Sequence, residues 1–238
     1  MEDKIQQFKQ LVNKSNNIVF FGGAGVSTES GIPDFRSKDG LYNQQYKYPP
    51  ETILSHTFFM NKTEEFFKFY KLKMNSLKYQ PNITHIKLSE LEARGKLKAV
   101  ITQNIDGLHQ KAGSKVVYEL HGSVLRNYCM NCNKFYDAEY VFNSNGIPRC
   151  SCGGIIKPDV VLYEEGLDEE TIENSTDAIQ KADLLIVAGT SLTVQPASGL
   201  INFFRGRNLV LINRDSTPYD NKANLVINDS LGKVFSNL

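Results

Sequence analysis

Apolar residues along the chain follow two alternating patterns. Four runs are almost continuously apolar and rich in β-branched residues: NIVFFGGAG (17–25), KAVITQN (98–104), DLLIVAGTS (183–191) and NLVLINRD (208–215). Runs of this kind are typical of parallel strands that are covered on both faces. Stretches with helical spacing, such as residues 3–14 and 168–182, lie beside them. The alternation predicts an α/β fold built on a doubly wound parallel sheet.

Two stretches depart from this alternation. Residues 36–82 are rich in aromatic residues and lysine, and FFMNKTEEFFKFYKLKMNSL (58–77) within them has the spacing of a helix. Residues 122–156 contain all the cysteines and show little periodicity. We interpret the two stretches as a helical module and a zinc-binding module that together form a small inserted domain. The main domain is then discontinuous and comprises residues 1–35, 83–121 and 157–238.

The composition is that of an ordinary globular protein. Of the 238 residues, 41% are hydrophobic and 22% are charged, and the formal net charge of +1 provides no bulk field for nucleic acid or an anionic membrane. The first twenty residues lack the apolar core of a signal peptide, and no apolar run reaches the length of a bilayer span. We therefore expect a cytoplasmic monomer that binds neither nucleic acid nor membrane directly.

The four cysteines are clustered in two short hooks, Cys129-Met-Asn-Cys132 and Cys150-Ser-Cys152, with 17 residues between the hooks. Cytosolic chains seldom keep disulfides, and hooks at this separation can place four thiolates around one zinc ion. The alternative is four unrelated buried cysteines. Because four thiolates fill a tetrahedral coordination sphere and leave no position for water, we expect one structural Zn²⁺.

A glycine-rich segment, GGAGVSTESGIPDFR (22–36), directly follows the first predicted strand. Gly23 and Gly25 allow a pyrophosphate to approach the backbone, and Ser27 and Thr28 supply hydroxyls at the start of the next helix. The common dinucleotide fingerprint is incomplete, because Thr28 stands where a third glycine is usual and no acidic residue ends a second strand at the expected distance. These residues alone support a nucleotide site and a plain strand-to-helix turn equally.

Longer motifs resolve this ambiguity. In chain order they are GAGVSTESGIPDFR (23–36), TQNIDGLHQKAG (102–113), ELHG (119–122), the cysteine hooks, KPDVVLYEE (157–165), GTSLTVQPA (189–197) and LIN (211–213). This set resembles the catalytic core of bacterial-type members of the sirtuin family, the NAD-dependent protein-lysine deacylases, over nearly the whole chain. The resemblance implies that the main domain is a Rossmann-type NAD-binding domain and that the inserted domain carries a zinc ribbon beside its helical module.

The resemblance also implies the reaction. The amide oxygen of an acyl-lysine in a protein or peptide attacks the anomeric carbon of NAD, and the products are nicotinamide, O-acetyl-ADP-ribose and free lysine. His121 falls on the family's catalytic histidine, and imidazole titrates near neutrality, as a general base should. Asn104 is implied to orient the ribose and a water, and Asp106 to hold the nicotinamide carboxamide. Without the resemblance, His121 would be taken as a structural turn residue and Asn104 and Asp106 as loop formers.

The other cofactor contacts follow from the same resemblance. Phe35 matches the aromatic residue that covers the nicotinamide pocket, and Arg36 matches a phosphate or ribose contact, although it could be an ordinary surface arginine. Asp229 is a candidate adenine contact. The full set implied to bind NAD is Ala24, Gly25, Thr28, Phe35, Arg36, Gln103, Asn104, Ile105, Asp106, His121, Gly189, Thr190, Ser191, Asn213 and Asp229.

The peptide substrate is expected to add as a strand between KPDVVLYEE and SLTV (191–194). Val160 and Val194 are the candidates that line this groove and the tunnel for the acyl-lysine. The chain departs from the family's commonest pattern here, because Tyr163-Glu164-Glu165 replaces Phe-Gly-Glu. The family's peptide preference therefore does not carry over.

Other functions fit fewer of these features. A dehydrogenase would share the fold class but has no use for the zinc module. A zinc-ribbon nucleic-acid binder would need more basic residues than Arg126, Lys134 and Arg149 between residues 122 and 156. A sirtuin-like mono-ADP-ribosyltransferase is the nearest alternative, and His121 favours the deacylase.

A deacylase that prefers longer or acidic acyl groups is a second alternative. Tyr70 and Lys73 lie on one predicted helix face, where acid-preferring sirtuins resemble one another in carrying tyrosine and arginine. Lysine cannot form arginine's planar two-bond clamp on a carboxylate. We interpret Lys73 as a solvated lysine and expect acetyl to be preferred.

Overall fold

The computed structural model describes residues 2–34 and 46–238, and parallel strands form its frame. In chain order the strands are β1 (Ile18–Gly22), β2 (Leu97–Thr102), β3 (Val117–Glu119), β4 (Gly122–Cys129), β5 (Phe135–Tyr136), β6 (Ile156–Val160), β7 (Leu184–Ala188), β8 (Asn208–Ile212) and β9 (Leu225–Ile227). Six of them form one sheet in the order β3-β2-β1-β7-β8-β9, with every neighbouring pair parallel. The four apolar runs in the sequence supply β1, β2, β7 and β8, so the prediction of a parallel sheet is confirmed.

Helices cover both faces of this sheet. In chain order they are α1 (Glu2–Lys14), α2 (Pro50–Ile53), α3 (His56–Asn61), α4 (Thr63–Lys73), α5 (Ile83–Ala93), α6 (Leu108–Lys111), α7 (Ala138–Asn143), α8 (Glu169–Lys181) and α9 (Leu231–Phe235). Alternate residues of a strand point to opposite faces. Phe20 of β1 accordingly packs in the apolar layer formed with α1, α5 and α9, whereas Phe21 packs in the layer formed with α8. Both layers are buried, which makes the sheet doubly wound.

The remaining three strands form a smaller antiparallel sheet in the order β5-β4-β6. Its apolar face shares one core with the aromatic residues of α3 and α4, and Val124, Cys129 and Ile156 from the sheet lie in that core with Phe66 and Tyr70. The helical module and the zinc-binding module expected from the sequence are therefore in contact with each other. The domain boundaries themselves stay a prediction.

Two helix predictions need correction. The helix expected over residues 58–77 is broken at Lys62, where φ is −136° and ψ is 47°, and it ends at Lys73. The break lets Phe59 of α3 and Phe66 of α4 meet edge to face at 5.0 Å between ring centroids. The segment after β1 does not open an α-helix either, because it forms two short 3-10 turns, Ala24–Val26 and Thr28–Ser30, the second of which Gly31 ends in a left-handed conformation.

The strand order places a crevice at one end of the large sheet. The chain passes from β1 to β2 on one side, whereas β7 pairs with β1 on the other. Ligands of open parallel sheets bind at such a reversal, beyond the carboxyl ends of the strands. Within residues 2–34 and 46–238, no helix has the length and apolar character that crossing a bilayer requires.

Candidate functional site

The loops after β1, β2, β7 and β8 are joined by backbone hydrogen bonds. The amide of Gln103 donates to the carbonyl of Gly22 at 2.9 Å, and that of Gly25 donates to Gly189 at 2.8 Å. A Cβ on Gly25 would lie 2.8 Å from the Cα of Gly189, and one on Gly189 would lie 2.5 Å from the amide nitrogen of Val26. These two glycines therefore let the backbones of neighbouring loops come into contact at the carboxyl end of the sheet.

A line of hydrogen-bonded residues connects these loops through their side chains. The amide of Thr190 donates to Asn213 Oδ1 at 3.0 Å, and Gln103 Nε2 donates to Thr190 Oγ1 at 3.2 Å. The carbonyl of Gln103 lies 2.9 Å from His121 Nδ1. Residues that follow β2, β7 and β8 are thus connected with one another and with His121, which follows β3.

The contact with Gln103 fixes the tautomer of His121. A carbonyl oxygen only accepts, so Nδ1 must carry the hydrogen and donate it. In the neutral ring Nε2 then holds a free lone pair, as a proton acceptor needs. Burial lowers the pKa of His121 and the hydrogen bond to the Gln103 carbonyl partly opposes this, so the neutral ring is favoured near neutral pH.

A second group of side chains lies between the glycine-rich segment and the loop after β2. Asn104 Nδ2 donates to Ser27 Oγ at 3.1 Å, and Ser27 Oγ donates to Asp106 Oδ2 at 2.6 Å. The backbone amide of Leu108 donates to the other carboxylate oxygen of Asp106 at 2.9 Å. Burial raises the pKa of Asp106, and the hydrogen bonds from Ser27 and Leu108 oppose the shift. Both proposed catalytic polar groups of this loop are therefore held by one serine.

The predicted cofactor contacts differ in their surroundings. Ala24 and Ile105 are half-buried and Ser191 is exposed, with its hydroxyl 2.8 Å from that of Thr193. Thr28 Oγ1 donates back to the carbonyl of Gly25. Phe35 and Arg36 lie outside the described residues.

Asp229 is engaged elsewhere. Its carboxylate pairs with Lys233 Nζ at 2.6 Å and accepts from the backbone amide of Ser230. None of its contacts in the part of the chain that the structure describes joins the lines through Thr190 or Ser27.

The crevice fits a dinucleotide in one further respect. Asn213 is 9% exposed, and its Nδ2 has no hydrogen-bond partner within residues 2–34 and 46–238. Buried amide donors are rarely left unpaired, so a bound polar group is the natural partner. A ribose hydroxyl at the end of β8 would satisfy it.

The four cysteines lie together at the end of the smaller sheet. Their Sγ atoms are all within 4.8 Å of one another, and three pairs, Cys129–Cys152, Cys132–Cys150 and Cys132–Cys152, are separated by 3.5 to 3.6 Å. A tetrahedron of thiolates with Zn–S bonds of about 2.3 Å has edges of about 3.8 Å. All four are free cysteines. They are positioned to bind one metal ion, and thiolate ligands in a closed tetrahedron select zinc.

In the segment after β6, Glu164 stands where the family pattern has glycine, and its backbone conformation is one that favours glycine. Glu164 has φ of +77°, in the left-handed region that glycine adopts without strain. Its carboxylate accepts from the amide of Thr57 at 2.8 Å, at the start of α3. The carbonyl of Tyr163 accepts from the amide of His56. Val160 is buried on β6 and Val194 is half-buried in the loop after β7.

Comparison with known families identifies the chain. A sequence profile described as "Sir2 family" matches residues 23–196. The chain belongs to the Sir2 family. The match begins in the glycine-rich segment and ends in the loop after β7. It includes Ser27, Asn104 and Asp106, the line from Gln103 to His121 and Thr190, and all four cysteines, whereas Asn213 lies beyond it.

Close relatives of this Sir2 family chain extend over its full length. A protein of Clostridium perfringens named "NAD-dependent protein deacetylase" is 62% identical over 98% of each chain. A protein of the same name from Clostridium acetobutylicum is 62% identical over 98% of this chain and 96% of the relative.

Solved structures of Sir2 proteins share the fold. One described as "Sir2-p53 peptide-NAD+" has a TM-score of 0.87 at 39% identity and covers 98% of this chain and 96% of its own. Another, described as "Sir2 bound to acetylated peptide", has a TM-score of 0.86 at 37% identity with the same coverage. The resemblance found in the motifs is thereby confirmed.

Sequence reasoning on this Sir2 family chain missed the position of Ser27. Its hydroxyl was placed at a helix start, whereas the residue is 1% exposed and joins Asn104 to Asp106. The partners are 77 and 79 residues away along the chain, and no local pattern reports contacts of that range. The one sequence feature that pointed to Ser27 was its position beside the glycines.

Proposed function

We propose that this protein is an NAD-dependent protein-lysine deacetylase that releases nicotinamide, O-acetyl-ADP-ribose and free lysine. One observation carries the proposal: the Gln103 carbonyl holds the His121 ring so that Nε2 is the free acceptor, at the end of β3 beside the crevice. The names of the curated relatives support the same activity. The tautomer of His121 agrees with the activity that the sirtuin motifs imply. The thiolate cluster agrees with the zinc ribbon that they imply.

The loop after β2 is proposed to bind the reacting end of the cofactor. Bound NAD supplies an electrophilic anomeric carbon and a nicotinamide leaving group. Asp106, held by Ser27 and the amide of Leu108, would accept a hydrogen bond from the carboxamide. Asn104 would orient the ribose and a water from its fixed position on Ser27. Thr190 and Asn213 would bind the adenosine side through hydroxyl and amide groups.

His121 is proposed to act as the general base at Nε2. It would take the proton from a ribose hydroxyl while Nδ1–H stays bonded to the carbonyl of Gln103. Because the neutral ring is the active form, we expect kcat/KM to fall as pH is lowered through the pKa of His121.

The acyl-lysine substrate is proposed to bind between the segment after β6 and the loop after β7, with Val160 and Val194 along the groove. A solved Sir2 neighbour is described with an acetylated peptide. The net charge of +1 supports an enzyme that needs no nucleic acid or membrane for substrate access. A cytoplasmic monomer is the state we propose, and sedimentation of the purified chain checks the monomer.

Acetyl is proposed as the preferred acyl group. Tyr70 is fully buried and its ring stacks between Phe66 and Phe142 at 5.5 and 5.6 Å. Such a ring is part of the core, and its hydroxyl oxygen is buried. Lys73 is half-buried, and its Nζ lies 5.4 Å from the centre of the Tyr46 ring. Neither residue supports recognition of an acidic acyl group, and kcat/KM on matched acetyl and succinyl peptides tests this.

Nicotinamide release with and without an acetyl-lysine peptide tests the function. A deacetylase releases nicotinamide only with the peptide and forms free lysine in equal amount, whereas an ADP-ribosyltransferase releases it without acetyl-lysine and labels protein. We expect His121→Ala to lower kcat by at least about 100-fold and to leave ADP-ribose binding within about two-fold, because it removes the base and not the crevice. Deacetylation by His121→Ala at the wild-type rate would contradict the assignment.

A further inference from the structure

An arginine on β4 bridges two carboxylates on either side of the His121 segment. Arg126 Nη1 donates to Glu119 Oε2 at 2.6 Å, and Arg126 Nε donates to Asp159 Oδ2 at 2.7 Å. Glu119 is the last residue of β3 and its side chain is 7% exposed. Asp159 lies on β6 of the smaller sheet. The guanidinium therefore connects the two sheets through two charge-assisted hydrogen bonds.

The bridge encloses a short stretch of chain. Leu120, His121 and Gly122 lead from β3 into β4, and the carbonyl of His121 accepts from the amide of Val161, just after β6. Gly122 has φ of +74°, and the backbone of Asp159 occupies the space that a Cβ would need. His121 is thus held at a sharp backbone turn. Arg126 is bonded to Glu119 of β3, which precedes this turn, and to Asp159 of β6, which pairs with β4 after it.

Arg126 reaches this position because β4 is irregular. The register between β4 and β6 shifts between Ser123 and Asn127, so Val124, Leu125 and Arg126 form a bulge. The amide of Val124 donates to the carbonyl of Ile105 at 3.0 Å. A Cβ on Gly107 would lie 2.5 Å from Leu125 Cδ1. Bulges often redirect side chains beside active sites, and this one brings three consecutive residues against the loop after β2 and the end of β3.

The charges around His121 are unequal without Arg126. The elements packed around its segment carry three carboxyls, Glu119 of β3, Asp159 of β6 and Asp106 of the loop after β2, and two cations, Arg126 of β4 and Lys157 of β6, together with Tyr118, Tyr128 and Cys129. Lys157 pairs with Glu165 at 3.1 Å, whereas Arg126 is the cation bonded to Glu119 and Asp159 among the described residues. Arginine stays charged at every working pH, so its bridge offsets carboxylate charge that would otherwise favour the imidazolium form of His121.

We propose that Arg126 is a positioning residue for deacetylation, which bridges Glu119 and Asp159 so that the His121 segment is held in place and its ring stays neutral. This inference rests on the proposed function. Within residues 2–34 and 46–238, the hydrogen bonds of the Arg126 guanidinium go to Glu119 and Asp159 and to no crevice side chain, so Arg126 acts through β3 and β6.

Titration of His121 tests the proposal without turnover. The chain has four histidines, and the variant His121→Ala identifies the His121 signal in an NMR titration of histidine-labelled protein. We expect Arg126→Met to raise the pKa of His121 by about half a unit or more, because two carboxylates lose their counter-charge. The acid limb of kcat/KM should move to higher pH by the same amount, with kcat at pH 7 lowered about ten-fold or more.

A compensating variant separates positioning from simple destabilisation. Arg126→Met combined with Glu119→Gln removes one charge of each sign, and we expect the His121 pKa to return toward the wild-type value. Arg126→Lys keeps the charge but cannot bridge both carboxylates, so it should lower kcat with little shift of the pKa. Arg94→Met is the matched control, because it removes the same charge from an exposed pair with Glu90 and should change neither quantity.

The outcomes decide between the alternatives. An unchanged His121 pKa in Arg126→Met, or a shift that Glu119→Gln does not reverse, overturns the proposal. If Arg126→Met does not fold, Arg126→Lys and Glu119→Gln alone still test it, since Glu119→Gln should lower the pKa of His121. Absence of deacetylation by the wild-type protein would overturn the proposed function instead, and the NMR titration would still report on Arg126.

Discussion

The two sheets of this protein are stabilised in different ways. Every residue of β1 and of β7 is buried, and the large sheet has apolar layers on both faces. β5 of the smaller sheet has only two residues, and Phe135 in it is 52% exposed. The large sheet is held by hydrophobic burial. The smaller one packs its apolar face against the aromatic residues of α3 and α4, and we expect its end to depend on the thiolate cluster as well.

The difference between the two sheets bears on the position of the catalytic side chains. The crevice side chains lie on loops at the ends of buried strands, which gives them a rigid support. His121 lies where the chain leaves the large sheet for the smaller one, so its position depends on both. Perturbing either sheet should therefore affect activity, but only perturbation of the large sheet should unfold the whole protein.

Removal of zinc should have the largest effect. We expect Cys129→Ser, or a strong chelator, to abolish order in residues 122–156, because structural zinc contributes on the order of 10 kcal/mol to folding of the segment that binds it. Hydrogen exchange followed by mass spectrometry should show loss of protection there and retention in β1 and β7. Glu139→Ala, at an exposed position on α7 within the same segment, is the control. Equal loss of protection in both sheets would contradict the comparison.

A cavity in the large sheet should cost less but act globally. Ile186 on β7 is fully buried between β1 and β8. We expect Ile186→Ala to lower the free energy of unfolding by about 4 kcal/mol, measured by urea denaturation. Leu72→Ala, at a position 75% exposed on α4, should change it by less than about 0.5 kcal/mol. A loss of stability confined to residues 122–156 would contradict this prediction.

Acid should weaken the large sheet through two buried histidines. His85 and His109 have ring centroids 4.7 Å apart, and His85 Nε2 and both ring nitrogens of His109 have no partner among the residues that the structure describes. Burial lowers the pKa of His85 to about 4 and lowers that of His109 as well. The unfolded chain therefore binds more protons below its own pKa of about 6.5, so stability falls as pH drops from about 6.5 toward 4.

We expect the His85 contribution alone to lower the free energy of unfolding by about 2 kcal/mol between pH 7 and pH 5. Urea denaturation at the two pH values measures it. His85→Gln should reduce this pH dependence, because glutamine does not titrate. An unchanged pH dependence in His85→Gln would refute the assignment.

The smallest effect is expected at Glu164. Glu164→Gly relieves the strain of φ +77° but loses the hydrogen bond to Thr57, so the two changes nearly offset each other. Glu164→Ala loses the hydrogen bond and keeps the strain. We expect the alanine variant to be about 1 kcal/mol less stable than the glycine variant by thermal denaturation. The reverse order would show that the left-handed conformation is not retained in solution.

The sequence predicted those features that depend on composition and local pattern. Continuous apolar runs identified β1, β2, β7 and β8, and cysteine spacing predicted the cluster. It could not predict features that depend on contacts distant in the chain. Ser27 bonds across 77 residues or more, and Arg126 is placed by a bulge that no motif marks. The break at Lys62 brings the rings of Phe59 and Phe66 into contact, and the apolar spacing of residues 58–77 is equally compatible with a continuous helix.

The hydrogen bonds through Ser27 have a direction. Asn104 donates to Ser27, and Ser27 gives its single hydrogen to Asp106, so the chain ends on an oxygen that must accept. Ser27 Oγ has two lone pairs, so a protonated Asp106 could donate to it while Asn104 still donates to the other lone pair. The hydroxyl hydrogen of Ser27 would then be released from Asp106. The charge on Asp106 therefore decides whether Ser27 holds its hydrogen within this chain of bonds or offers it to another acceptor in the crevice.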